Sequence, residues 1–314
     1  MESISPGIHR GTQLSCEGNV IRTPDLKSRQ VLPRILFVCS ALLIVAISWR
    51  SIRAWFEISQ DSTQASNLWI IPLLSAFLIY ERRDKIFARI QFMPGALILV
   101  ALGIAIYEVS LIALLPLPQL DAVALASLGI LLSITGVFIA CFGRDAWSAA
   151  RFPLGFLLLA VPVPQAILDV LVRWLQYGSA AVVNFLFILL SVPHLHDGLR
   201  FYLTGLNIEI ASECSGIRSS FSLLVLTVLL SYIALHSAWR RFLLVGAVVP
   251  LVLVKNGIRI VTLCLLSIYV DPGFITGSLH RNGGFVFFGL ALAMEGALCW
   301  FLQRTEPGPH ASFH

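Results

Sequence analysis

Long apolar runs constrain this chain more than any other feature. They occupy 35–52, 67–80, 94–115, 122–142, 152–163, 166–192, 215–235, 242–270 and 284–302. About 20 consecutive apolar residues suffice for a helix to cross the ~30 Å hydrocarbon core of a bilayer. A barrel would instead show ~10-residue segments of alternating hydrophobicity. The expected fold is therefore an all-α polytopic membrane protein with about eight transmembrane helices. Charge supports this. Only 12% of the 314 residues are charged, against about 25% in a soluble domain. A hydrophobic content of 57% also excludes a disordered chain.

The polar ends read as tails. Residues 1–34 contain Pro, Ser and Gly, show no cleavable signal peptide, and are expected to form a disordered cytoplasmic arm. Residues 35–303 form the integral membrane domain, and 304–314 a second cytoplasmic tail.

Basic residues set the orientation. With the N-terminus cytoplasmic, inside segments hold Arg10, Arg22, Lys27, Arg29, Arg34, Arg82, Arg83, Lys85, Arg89, Arg144, Arg151, Arg240, Arg241 and Arg304. Outside segments hold Arg50, Arg53, Arg200 and Arg281. Fourteen against four is a positive-inside pattern. It also accounts for the net charge of +5 without a nucleic-acid partner.

Nine runs with both termini inside cannot all cross. Pro162-Val163-Pro164 divides the stretch 152–192, and Gln165, Asp169, Arg173 and Gln176 then recur at helical spacing. An interfacial or re-entrant piece here restores eight crossings. Segments 193–213 and 271–283 then face outward. The first reads as a short extracytoplasmic β-hairpin: Leu199–Leu203, a turn at Thr204-Gly205, then Asn207–Ala211.

Four basic residues are not explained by flanks. Arg173 belongs to the polar stripe. Arg218, Lys255 and Arg259 lie within apolar helices, where each charge costs at least ~2.5 kcal/mol. Such groups mark a functional site or lock helices together, for instance by pairing with Glu108 or Glu295.

Three motifs gather around them. In Glu213-Cys214-Ser215-Gly216-Ile217-Arg218-Ser219-Ser220, Ser212 is placed to cap a helix with Cys214 in its first turn. Exposed N–H groups and the positive helix end favour thiolate there. Arg218 follows one turn on. In Asn256-Gly257-Ile258-Arg259, the arginine lies about 26 Å along its helix, near the outer boundary. Its rigid fork of donors suits a developing oxyanion or a carboxylate, with Asn256 in support. In Gly277-Ser278-Leu279-His280-Arg281-Asn282-Gly283-Gly284, His280 is suited to acid–base work near neutral pH. The other cysteines are Cys16 in the tail and Cys39, Cys141, Cys264 and Cys299 in apolar runs. No metal-ligand spacing is evident, so no cofactor is expected.

The order Cys-Ser-Gly-Ile-Arg-Ser, then Asn-Gly-Ile-Arg, then a loop His before Gly-Gly resembles the exosortase/archaeosortase family. Trp55, Ile71-Pro72 and the Pro162-Val163-Pro164 break also fit it. The resemblance implies a membrane cysteine protease or transpeptidase. Such enzymes cleave a C-terminal sorting signal, in bacterial systems commonly a Pro-Glu-Pro motif, a transmembrane helix and a basic tail. It implies the trio Cys214, Arg259 and His280, with Arg218 as the motif arginine. The implied partners are secreted substrate proteins, the lipid bilayer and a lipid or glycan acyl acceptor. The implied location is the inner membrane, with the site facing outward. The family often carries a His-Gly pair where this chain has Ser66-Asn67, so that segment receives no catalytic role. Two other classes compete: an anion-binding transporter and a scaffold of polysaccharide export.

Overall fold

A computed structural model describes residues 26–61, 68–111, 117–274 and 284–306, the side chains of 26–30, 61, 213, 214 and 284 excepted. The chain is a multi-pass α-helical membrane protein with a small antiparallel sheet among the described residues. Helices α1 (Leu26–Ile47) and α2 (Trp49–Asp61) form a bent pair, at 70° to each other. The short helices α3 (Ile70–Glu81) and α4 (Arg83–Ile86) precede α5 (Leu97–Leu111) and α6 (Gln119–Phe156). Then come α7 (Gln165–Leu189), the strands β1 (His194–Asp197), β2 (Arg200–Leu203) and β3 (Leu206–Glu209), α8 (Ile217–Ala234), α9 (Ala238–Tyr269) and α10 (Gly284–Arg304).

Six described helices are long and apolar enough to cross a membrane, and the bent pair makes a seventh. The expected count of about eight is reached only if the shorter apolar α3 is included. Helix α1 starts at Leu26, within the stretch read as a tail. Residues 1–25 and 307–314 lie outside the described residues.

Close approach of backbones organises the first half. A side chain at Gly103 would meet the Gly129 carbonyl at 2.6 Å, and one at Gly129 the Gly103 carbonyl at 2.7 Å. Helices α5 and α6 therefore touch where neither has a side chain, a common solution in lipid. Helix α6 breaks at Gly143, with φ 84° and ψ −172°. The segment before α5 docks there: Gln91 and Met93 donate backbone N–H groups to the Phe142 and Ala140 carbonyls. Phe37, Phe87, Phe138 and Phe142 pack around this joint.

The 152–192 stretch resolves simply. Run 152–163 is the end of α6 and a 3-10 turn, Leu157–Ala160, which is tied to α2 by the Trp55 indole donating to the Ala160 carbonyl at 2.8 Å. Pro164 starts α7, and Asp121 of α6 accepts the Gln165 backbone N–H at 2.6 Å. Of the two runs, α7 has the length and hydropathy of a crossing.

The expected hairpin is present and has one strand more. β2 and β3 pair Leu203 with Leu206 and Phe201 with Ile208. β1 joins the other side of β2, pairing His196 with Phe201. A left-handed Gly198 makes the first turn, and Gly205 the second. The missed strand His194–Asp197 is polar and short, so no apolar alternation announces it. One face of the sheet is buried. Phe201, Leu203 and Ile210 pack with Ala180, Val183 and Phe187 of α7 and Ile260, Val261 and Cys264 of α9.

Far from the sheet, the first turn of α9 is fastened to the end of α10. Glu306 accepts the backbone N–H groups of His236 and Ser237. Arg240 donates to the Leu302 carbonyl at 3.0 Å. Arg82 and Arg241 both lie over the Tyr232 ring. The arginines expected to share one side thus meet on one aromatic ring.

Candidate active site

Residues 212–215 form a single 3-10 turn between β3 and α8. Gly216 follows in the left-handed region, with φ 75° and ψ 13°. A right-handed helix cannot continue through that conformation, so α8 begins only at Ile217. Cys214 lies in the turn before α8, not in its first helical turn. The cap positions of the turn and of α8 are Ala211 and Gly216, so Ser212 does not stand at a helix cap. The one-turn relation between Cys214 and Arg218 is also broken, and Arg218 is exposed. What survives is the favourable field: the turn ends on the first N–H groups of α8, which carry partial positive charge.

The turn is held from several sides. The Gly216 carbonyl accepts hydrogen bonds from the Ser219 and Ser220 hydroxyls, at 2.9 and 2.8 Å, and from the Ser220 N–H. Ser215 is fully buried, and its hydroxyl has no hydrogen-bond partner among the described residues. Upstream, Gln176 of α7 donates to the Ile210 carbonyl at 2.8 Å. That bond fixes the chain as it leaves β3.

The Asn-Gly-Ile-Arg segment meets this turn directly. A Cβ at Gly216 would lie 3.3 Å from the Asn256 side-chain oxygen and 3.5 Å from the Lys255 ammonium. Two sequence motifs forty residues apart thus share one place. Asn256 is fully buried and donates its side-chain amide to the Ser179 hydroxyl at 2.9 Å. Lys255 is also buried and donates to the Ser219 hydroxyl at 2.6 Å. Arg259 is half-buried, one helical turn beyond Lys255 on α9. The cysteine side chain and His280 lie outside the described residues, as do the rest of the 275–283 loop and Ser66-Asn67.

The helix-locking alternative finds no support at Glu295. This carboxyl is almost fully buried against Thr227 of α8. Among the described residues, no ion pair joins Glu295 or Glu108 to Arg218, Lys255 or Arg259.

Sequence reasoning missed Ser179 and the bonding role of Gln176. A signal was present. The stripe Gln165, Asp169, Arg173, Gln176 extends to Ser179 at the same spacing, but a lone serine in an apolar run carries little weight. Its upper end points into the protein, where Gln176 and Ser179 are buried; Gln165 and Asp169 form a hydrogen-bonded pair at the exposed start.

A bundle of this kind, with its polar residues gathered where a β-sheet meets two membrane helices, defines a multi-pass membrane protein with an embedded polar site. The family model described as transmembrane exosortase (Exosortase_EpsH) matches residues 49–295, and the chain belongs to that family. No curated protein and no solved structure matches it. The match spans the cysteine motif, the Asn-Gly-Ile-Arg segment and His280. Membership supports a general role in protein sorting at the membrane.

Proposed function

We propose that this protein is a cysteine protease or transpeptidase that cleaves C-terminal sorting signals of secreted proteins. The reading is supported above all by one contact: the turn that holds Cys214 packs through Gly216 against Asn256 and Lys255 of the Arg259 helix. In the proposed reaction, the Cys214 thiolate attacks the peptide carbonyl carbon and forms a C–S bond. Negative charge moves to the carbonyl oxygen, where Arg259, with Arg218, stabilises it. The oxyanion collapses, the C–N bond breaks, and His280 protonates the leaving amine. A thioester remains. His280 then takes the proton of an incoming nucleophile, which attacks the thioester and releases the thiolate. Water as acceptor gives hydrolysis; a lipid or glycan amine gives transpeptidation.

The substrate signal is a Pro-Glu-Pro-type motif with a transmembrane helix and a basic tail. The termini are cytoplasmic and the site faces outward from the inner membrane. This topology rests on the fourteen-to-four distribution of basic residues.

The test expresses a tagged substrate with its sorting signal beside wild-type protein, Cys214→Ala or Cys214→Ser. Both variants are expected to leave the substrate uncleaved at equal expression. Normal processing by either would falsify the role of Cys214.

A further inference from the structure

The buried amine of Lys255 has no place in the mechanism above, and a charge within an apolar helix costs at least ~2.5 kcal/mol. Its surroundings are specific. Lys255 is 3% exposed and donates to the Ser219 hydroxyl at 2.6 Å. Ser219 in turn donates to the Gly216 carbonyl at 2.9 Å. The ammonium also lies 3.5 Å from the point where a Gly216 side chain would begin. Gly216 is two residues after Cys214. A single buried cation is therefore linked through one hydroxyl to the backbone of the cysteine's own turn.

We propose that Lys255 is a positioning residue that does two things for Cys214. It braces the turn through Ser219, and in its protonated form it supplies a buried positive charge beside Gly216 that favours the thiolate. This deepens the proposed cysteine chemistry and rests on it.

Other charged and polar groups surround the turn. On its own helix, Arg259 is half-buried and one turn away. On α8, Arg218 is exposed. The buried part of α7 that packs here offers Gln176 and Ser179, both neutral. On α10, Glu295 lies against Thr227. Glu213 adjoins Cys214 in the turn. Of these basic groups, Lys255 is the one both buried and bonded into the turn through Ser219.

The experiment measures how Cys214 reacts with iodoacetamide as pH varies. The thiolate displaces iodide, so the rate reports the thiolate fraction. Full-length protein is used in lipid nanodiscs, with the other five cysteines replaced by serine or alanine. In the parent, the rate is expected to level off at a pH below that of an ordinary thiol, about 8.5. In Lys255→Met the inflection is expected to rise by about one pH unit or more. In Lys255→Arg, which keeps the charge, it should stay within a few tenths of a unit of the parent. Ser219→Ala, which keeps the charge and loses the brace, should give an intermediate rise and serves if Lys255→Met does not fold. An inflection equally depressed in the parent, Lys255→Met and Ser219→Ala would overturn the role of Lys255 while leaving Cys214 activated. An ordinary inflection in the parent would instead overturn the activated cysteine itself.

Discussion

Asn256 of α9 donates its side-chain amide to the hydroxyl of Ser179 on α7, at 2.9 Å, and both residues are fully buried. The bond joins two membrane helices immediately behind the Gly216 turn. In lipid, water does not compete for it, and a buried donor left alone costs about 1–3 kcal/mol. Ser179→Ala is therefore expected to destabilise the protein by roughly that amount. Asn256→Ala should destabilise similarly and also lower sorting activity, because its oxygen faces Gly216. Thermal unfolding in detergent, set beside a cleavage assay, measures both. Equal stability of Ser179→Ala and wild type would refute the prediction.

Gly216 and Gly205 both hold positive φ, at 75° and 81°, so alanine at either costs roughly 1–2 kcal/mol of backbone strain. Their surroundings differ. Nothing lies within 4 Å of a Cβ at Gly205, whereas one at Gly216 presses on Asn256. Gly205→Ala is expected to lower stability and keep cleavage. Gly216→Ala is expected to lower both.

Arg259 is proposed to stabilise the oxyanion, which requires a rigid fork of donors. Arg259→Lys keeps the charge and loses the fork. Single-turnover cleavage of a tagged substrate should fall about 10²–10³-fold. Activity within a factor of about three of wild type would remove Arg259 from that role.

Gln176 ties Ile210 to α7 through a buried hydrogen bond, just before the 212–215 turn. Gln176→Leu fills the space and leaves the Ile210 carbonyl unsatisfied, at about 1–3 kcal/mol. The cleavage rate should fall further than stability alone explains, since the turn is released at its upstream end. The two are separated by assaying at a temperature where the variant is fully folded.

The far end of α9 gives a pH dependence. Burial pushes the Glu306 carboxyl up, but the backbone N–H groups of Ser237 and His236, with the His236 ring, outweigh it and hold the carboxyl below its ordinary range. A folded value below the unfolded one means stabilisation that is complete above the unfolded value. It is lost as pH falls through the folded value. Wild type should therefore lose unfolding temperature on acidification through the carboxylate range more steeply than Glu306→Gln. Parallel curves would show that the clamp contributes nothing.

Much of this architecture was legible because lipid imposes strong rules. Length and apolarity located the long helices, and Pro162-Val163-Pro164 marked where α6 gives way to α7. Glycine conformation was harder to read. Gly143 and Gly216 look like any glycines in sequence, yet their positive φ values break α6 and delay the start of α8. The delay undid the helical phase assumed between Cys214 and Arg218. Motif order grouped Cys214 with Arg259, and the elements that carry them, the 212–215 turn and α9, approach each other at Gly216. The residues that make the contact, Lys255 and Asn256, were visible as anomalies. Their partners Ser179 and Ser219 were not, because a serine gains meaning only from what packs against it.

The seam between α7 and α9 leaves almost no room. A Cβ at Gly257 would meet a Val182 methyl, and one at Gly178 would meet Leu253 at 2.8 Å. Ser179 and Asn256 sit beside these two glycines, on the same two helices. Relatives that change one side of this seam should therefore change the other in step. Positions 179 with 256, 178 with 253 and 182 with 257 are the pairs in which such joint substitution is expected across the family.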